Sequence, residues 1–185
     1  EAFATSGITG SPSLTTTAIA SSVVGNYTIT SSAGTLSSAN YSFSYANGNL
    51  TVEKAILNVI ADDRNRIYGG VNPSLTVSFT GFVLGQALSN SGVTGSAGVS
   101  TAAGASSAPG TYPIVPSVGS LASSNYAFNY VNGTLTIGKA TLTVTAQNSS
   151  RSYGASDPAF NVAFTGFVNG QTKETSDLQG APAYT

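Results

Sequence analysis

Apolar and polar residues alternate in this chain over short stretches, and no segment sustains the three-to-four-residue period of a long amphipathic helix. In Ala55-Ile-Leu-Asn-Val-Ile-Ala61 one face is Leu57, Val59 and Ala61, which predicts a half-buried strand. Leu75, Val77 and Phe79 alternate in the same way, as do Phe160, Val162 and Phe164. Thr111 to Val115 and Asn125 to Tyr130 read as further strands. Gly81, inside Thr-Gly-Phe, predicts a bulge or sharp bend. The Gly/Ser/Ala-rich stretch from Leu84 to Pro109 predicts a long loop or a short helical turn. Asn47-Gly48 and Asn132-Gly133 predict type I′ hairpin turns, since this dipeptide tolerates positive φ at both positions. Such a turn would pair Tyr130 with Leu135 and Phe128 with Ile137, and in the earlier copy Tyr45 with Leu50 and Phe43 with Val52.

The pattern recurs 85 residues on, without a gap. Asn40-Tyr-Ser-Phe-Ser-Tyr-Ala-Asn-Gly-Asn-Leu-Thr-Val52 returns as Asn125-Tyr-Ala-Phe-Asn-Tyr-Val-Asn-Gly-Thr-Leu-Thr-Ile137. Gly25-Asn-Tyr-Thr-Ile29 returns as Gly110-Thr-Tyr-Pro-Ile114, and Phe79-Thr-Gly-Phe-Val83 as Phe164-Thr-Gly-Phe-Val168. A period of this length is a domain rather than a solenoid turn. The reading is an all-β chain of tandem small β-modules, two-layered and immunoglobulin-like or β-grasp-like, with about six short strands each. Residues 54–138 make one complete repeat, 1–53 the second part of another, and 139–185 the first part of the next. Leu50-Thr-Val52 runs through Glu53-Lys54 into the next strand with no Gly/Ser or Pro-rich linker, so a stiff rod is expected. The two part-repeats together cover a whole one. An excerpt from a longer array is the favoured explanation, and head-to-tail completion between two chains is the alternative.

Composition changes this picture mainly by exclusion. Charged residues are 7% of the chain and the formal net charge is −1, which leaves no basic footprint for nucleic acid and no polybasic patch for a membrane. Histidine, cysteine, methionine and tryptophan are absent. Serine–histidine catalysis, thiolate chemistry, disulfides and imidazole or thiolate metal sites therefore have no residues to use. A surface built of Ser, Thr, Asn and Gly points to the outside of a cell.

Asp62-Asp63 is the adjacent acid pair, but its copy is Gln147-Asn148, so solvated loop acids are favoured over a carboxylate pair or a calcium site. The glycines at 69–70 and near Gly95 lack the lysine and following helix of a phosphate loop. Lys54 and Lys139 open successive repeats; a Lys–Asn cross-link would need a nearby acid, and Glu53 becomes Gly138, so edge-blunting lysines are favoured. The sequons at Asn26, Asn40, Asn49, Asn132 and Asn148 matter only in a eukaryotic secretory pathway. The recurring motif of interest is Arg66, Tyr68, Gly69 and Pro73, matched by Arg151, Tyr153, Gly154 and Pro158. It could form a ligand platform, because Arg and Tyr are favoured in binding sites. The favoured reading is structural: Tyr68 plugs the end of the core, Gly69 takes a special backbone angle, and Arg66 bonds loop carbonyls.

The order Lys-Ala-x-Leu-x-Val-x-Ala, Arg-x-Tyr-Gly, Pro, Phe-Thr-Gly-Phe-Val-x-Gly-Gln, Gly-x-Tyr-x-Ile and Asn-Tyr-x-Phe-x-Tyr-x-Asn-Gly-x-Leu-Thr spans essentially the whole chain. It resembles the MBG-type (YGX-type) repeats of long bacterial surface proteins, including filamentous-haemagglutinin-like adhesins. The position after Tyr-Gly is Gly70 in one copy and Ala155 in the other, where such repeats commonly carry an acid. The resemblance implies an extracellular, non-enzymatic module without cofactor that forms the stalk or fibre of an adhesin. Its partners would be neighbouring repeats of the same chain, with homotypic head-to-tail or lateral association as a further option. The alternative is a multivalent module with weak carbohydrate or protein sites.

Overall fold

The computed structural model describes residues 6–180, so the outermost residues of both part-repeats lie outside the described region. Twelve strands follow in chain order, and the described residues contain no helix. They are β1 (Ser13–Thr16), β2 (Gly25–Ser32), β3 (Gly48–Val52), β4 (Ala55–Ala61), β5 (Arg64–Ile67) and β6 (Val77–Thr80). Then come β7 (Gly98–Thr101), β8 (Gly110–Ser117), β9 (Tyr126–Val131), β10 (Gly133–Gly138), β11 (Thr143–Ala146) and β12 (Val162–Thr165). They form four small sheets, ordered β1-β2-β3, β5-β10-β8-β7, β6-β4-β9 and β11-β12. The chain is all-β, as its alternating pattern predicts, and residues 54–138 hold seven strands rather than six. Two of them have no counterpart in the alternating pattern: β5, whose sequence Arg-Asn-Arg-Ile carries no apolar alternation, and β7, within the Gly/Ser/Ala-rich stretch.

The described residues divide into two compact units, one of 6–59, 79–97 and 118–129, the other of 60–78, 98–117 and 130–180. In the first, Leu57 and Val59 of β4 are fully buried, and Tyr126 is 1% exposed. The Tyr126 ring meets Phe82 edge-on, with centroids 5.8 Å apart and planes at 79°. Its hydroxyl donates to Gln86 Oε1 at 2.5 Å and accepts from the Val83 amide at 3.1 Å, which settles the polar end of a buried ring. Gly81 ends β6 at φ 102°, where a Cβ would lie 2.7 Å from the Ile56 carbonyl oxygen. The sheet β1-β2-β3 is antiparallel throughout. Instead of the anticipated loop or helical turn, residues 84–109 contain turns, a β-bridge between Thr94 and Ala122, and strand β7, which belongs to the second unit.

The second unit has a core of Ala61, Ala103, Ile114, Leu135 and Ile137, with Tyr68, Leu75, Val99 and Tyr112 packed against it. Strand β10 lies at the centre of this arrangement. It pairs antiparallel with β8, Leu135 opposite Tyr112, and parallel with β5, Leu135 opposite Arg64 and Ile137 opposite Arg66. Alternation is strict, with Gly133, Leu135 and Ile137 buried and Thr134 and Thr136 exposed. No strand pairing links β11-β12 to this sheet.

The Asn-Gly hairpins are not formed. Strand β9 pairs in the sheet of β4, whereas β10 pairs with β5 and β8, so Asn132 joins two different sheets. Neither Asn132 nor Gly133 has positive φ, and the same holds for Asn47 and Gly48. Gly133 answers a different demand: a Cβ there would sit 2.3 Å from the Ala61 carbonyl oxygen. The glycine permits the close crossing of two backbones rather than an inverted turn. The expected cross-strand pairs fail with the hairpin, and Tyr130 is 36% exposed and Tyr45 42% exposed instead of facing a core. At Gly48 a Cβ would meet nothing nearer than Ile29 at 3.7 Å. Gly133→Val should therefore cost about 1–3 kcal/mol or more, while Gly48→Val should stay within about 0.5 kcal/mol. Urea denaturation of dilute protein checks this, and equal losses at the two sites would refute the crowding argument.

Candidate functional site: the Tyr-Gly turn and the joint between repeats

The Arg-x-Tyr-Gly motif begins on β5. Because β5 runs parallel to β10, Arg66 lies opposite Ile137, and the Tyr68 amide donates to the Gly138 carbonyl at 2.8 Å. Tyr68 is half-buried against the core cluster. Gly69 follows at φ 81°, the left-handed region that other residues adopt only with strain. The Gly70 amide returns to the Ile67 carbonyl at 3.0 Å, closing the turn, and Pro73 lies half-buried beyond it.

Arg66 locks this turn to a distant loop. Its Nε donates to Asn72 Oδ1 at 2.7 Å, Nη1 to the Ile67 carbonyl at 3.3 Å, and Nη2 to the Gly104 carbonyl at 2.5 Å. Asn72 Nδ2 in turn donates to the Ala103 carbonyl at 2.6 Å. A planar guanidinium with five donors is suited to spanning several fixed oxygens, and an ammonium is not. The same latch is half-made in the next copy, where Arg151 Nε donates to Asp157 at 2.5 Å and Tyr153 is fully exposed. Gly154 keeps φ 83°, with nothing within 4 Å of the place of its Cβ, and Pro158 is exposed. Asn72 and Asp157 were missed by the sequence reading, although an oxygen-bearing side chain six residues after the arginine recurs in both copies.

Gly69 also marks where one repeat meets the next. A Cβ on it would lie 2.5 Å from Val168 Cβ, so this turn is closed over by a residue that follows the next copy of the motif. An open groove of about 480 Å³ adjoins this contact, bordered by Tyr68, Pro109, Lys139, Leu142, Phe167 and Gln171. At the preceding joint, Asn125 takes the connecting role: its Oδ1 accepts from the Val24 amide at 3.2 Å and its carbonyl from the Ala55 amide at 3.0 Å.

The remaining candidates have structural partners. Asp62 accepts from the Thr76 hydroxyl and faces Arg64 Nη2 at 3.7 Å. Asp63 Oδ1 accepts from the Thr134 amide at 2.7 Å, pinning the start of β10. Lys54 Nζ donates to the Ser123 carbonyl at 2.9 Å. Among the described residues no three acids gather as a metal would require. Glu174, fully exposed, has its pKa lowered chiefly by the hydrogen bond from the Thr172 hydroxyl, which makes it a poorer general acid. No helix among the described residues is long and apolar enough to cross a membrane.

A repeated small-sheet module, with its recurrent motif spent on an internal turn and an inter-repeat contact, defines a tandem all-β repeat protein. The family model for the MBG domain (YGX type) matches residues 3–51, 57–136 and 142–184, and the chain belongs to that family. No curated protein and no solved structure matches it.

Truncating Arg66 to alanine removes three hydrogen bonds from a charged donor and should cost about 1.5–3 kcal/mol. Arg151→Ala breaks an exposed pair and should cost about 0.2–1 kcal/mol, an effect that salt diminishes. Chemical denaturation at low and high salt separates the two.

Proposed function

We propose that this chain is a non-enzymatic structural repeat of an extracellular bacterial surface protein, serving in the stalk or fibre of an adhesin. The repeats run 1–53, 54–138 and 139–185, each passing into the next without a linker. The observation that carries the reading is the use of the Tyr-Gly turn: Gly69 lies under Val168 of the following repeat, so the recurrent motif is occupied in joining modules. Two residues separate β3 from β4, and Asn125 binds both sides of that earlier joint. Short connections with side-chain contacts across them restrict bending, and modules in series convert that restriction into reach. Family membership supports a surface protein as the setting.

A second reading has one observation in its favour. Tyr45 and Tyr130 recur at equivalent positions and are 42% and 36% exposed, and exposed tyrosines are common anchors for ligands. Repetition would then add avidity to weak individual sites.

Small-angle X-ray scattering on recombinant arrays of three or more complete repeats tests the stalk. The maximum dimension should grow linearly with repeat number. Gly69→Val, introduced in every repeat, should shorten it by loosening each joint. A freely jointed profile in the unmodified array would overturn the reading.

A further inference from the structure

The opening and closing segments of residues 54–138 are tied together at one constant spacing. In the second unit β5 and β10 pair in parallel, from Arg64 with Leu135 to Ile67 with Gly138. Just before that ladder, Asp63 Oδ1 accepts from the Thr134 amide, 71 residues on. Just after it, the Tyr68 amide donates to the Gly138 carbonyl. In the first unit β9 lies beside β4. There the Ala55 amide donates to the Asn125 carbonyl at 3.0 Å. Asn129 Nδ2 donates to Asn58 Oδ1 at 2.8 Å, again across 71 residues. These two contacts advance along both strands together, so β9 runs in the direction of β4. In each unit, then, the opening segment 55–68 and the closing segment 125–138 run side by side in the same sense.

That shared direction decides how the repeat meets a pull. Described residues continue the chain on both sides of 54–138. Tension in the chain therefore draws the opening segment by its N-terminal end and the closing segment by its C-terminal end. Parallel strands drawn in this way slide along each other, and all the bonds of the ladder are loaded together. An antiparallel pair drawn by the same two ends would open one bond at a time, because both ends would lie on one side. Residues 69–124, with β6, β7 and β8, form the loop between the two segments. They stay outside the path of the force for as long as the pairing holds.

We propose that the parallel pairing of 55–68 with 125–138 is a mechanical clamp, which carries tension through the repeat and shields residues 69–124 from it. The clamp also gives β5 a task that apolar alternation does not record. Arg-Asn-Arg-Ile contributes backbone bonds to β10, and Ile67 itself is 60% exposed. Resistance to a pull is governed by the rate of unfolding rather than by equilibrium stability, so it is a property the fold can supply separately. That the clamp is under tension in use rests on the stalk reading; its strength is a property of the chain alone.

Single-molecule pulling on the 185-residue chain tests the clamp, and the lack of cysteine makes introduced thiols unique points of attachment. Handles on the K54C/K139C variant load the two segments in shear. Handles on the K54C/S124C variant draw both segments by their N-terminal ends, so the same bonds open in turn. Lys54, Ser124 and Lys139 are all exposed, and both variants lose the same hydrogen bond from Lys54 to Ser123. At equal loading rate the first variant should yield at a several-fold higher force than the second. It should do so in one step approaching roughly 280–300 Å, the extended length of 54–139. Equal forces in the two geometries would overturn the proposal. So would a shorter step at lower force in the first variant, the sign that residues 69–124 give way before the clamp. A chain that passes this test but scatters as freely jointed modules keeps the clamp and loses the stalk.

Discussion

Strand β10 is held on one side by β8, antiparallel, and on the other by β5, parallel, and most of the repeat follows from that double pairing. It joins the first part of the repeat to the last, across some seventy residues of chain, and it buries Leu135 and Ile137 at the centre of the second core. The geometry imposes one strict requirement. Where β10 begins, its backbone passes so close to the end of β4 that a side chain at 133 would collide with the Ala61 carbonyl. Asp63 then fixes the strand's first amide, so the crossing is both permitted and held in register.

The recurrent Arg-x-Tyr-Gly motif grows directly out of this pairing. The last residues of β5 carry Arg66 to a position from which three of its nitrogens meet fixed oxygens. Tyr68 then closes on the core, and Gly69 turns the chain in a conformation and a space that both exclude a side chain. A motif that looks from its residue types like a binding platform is instead engaged in packing, with its outer surface presented to the following repeat. The two acids of the complete repeat, Asp62 and Asp63, hold a hydroxyl, an amide and a guanidinium.

Comparison of equivalent residues within one molecule gives an internal control. Leu135 and Leu50, Val59 and Val144, and Tyr68 and Tyr153 differ in burial although their sequence surroundings match. What differs is the strand that lies beside them. Local sequence is therefore insufficient to bury these residues, and the missing term is a long-range pairing supplied from another part of the repeat.

The sequence by itself determined the class: period-two alternation, the 85-residue recurrence and the lack of helical patterning gave an all-β tandem repeat and its family. It also placed β4 to the residue, because one face of Ala55–Ala61 is apolar and the other is not. It misjudged Asn132-Gly133, since a dipeptide suited to an inverted turn is equally suited to a crowded crossing, and only the positions of Ala61 and β8 distinguish the two. It did not show β5, whose polar residues earn their place through backbone pairing with β10 rather than through burial. Alternation records which face of a strand meets the core. Which strand lies alongside is decided by backbone hydrogen bonds that leave little mark on side-chain identity, and so only the tertiary structure decided the sheet order, the role of Gly133 and the partners of Arg66.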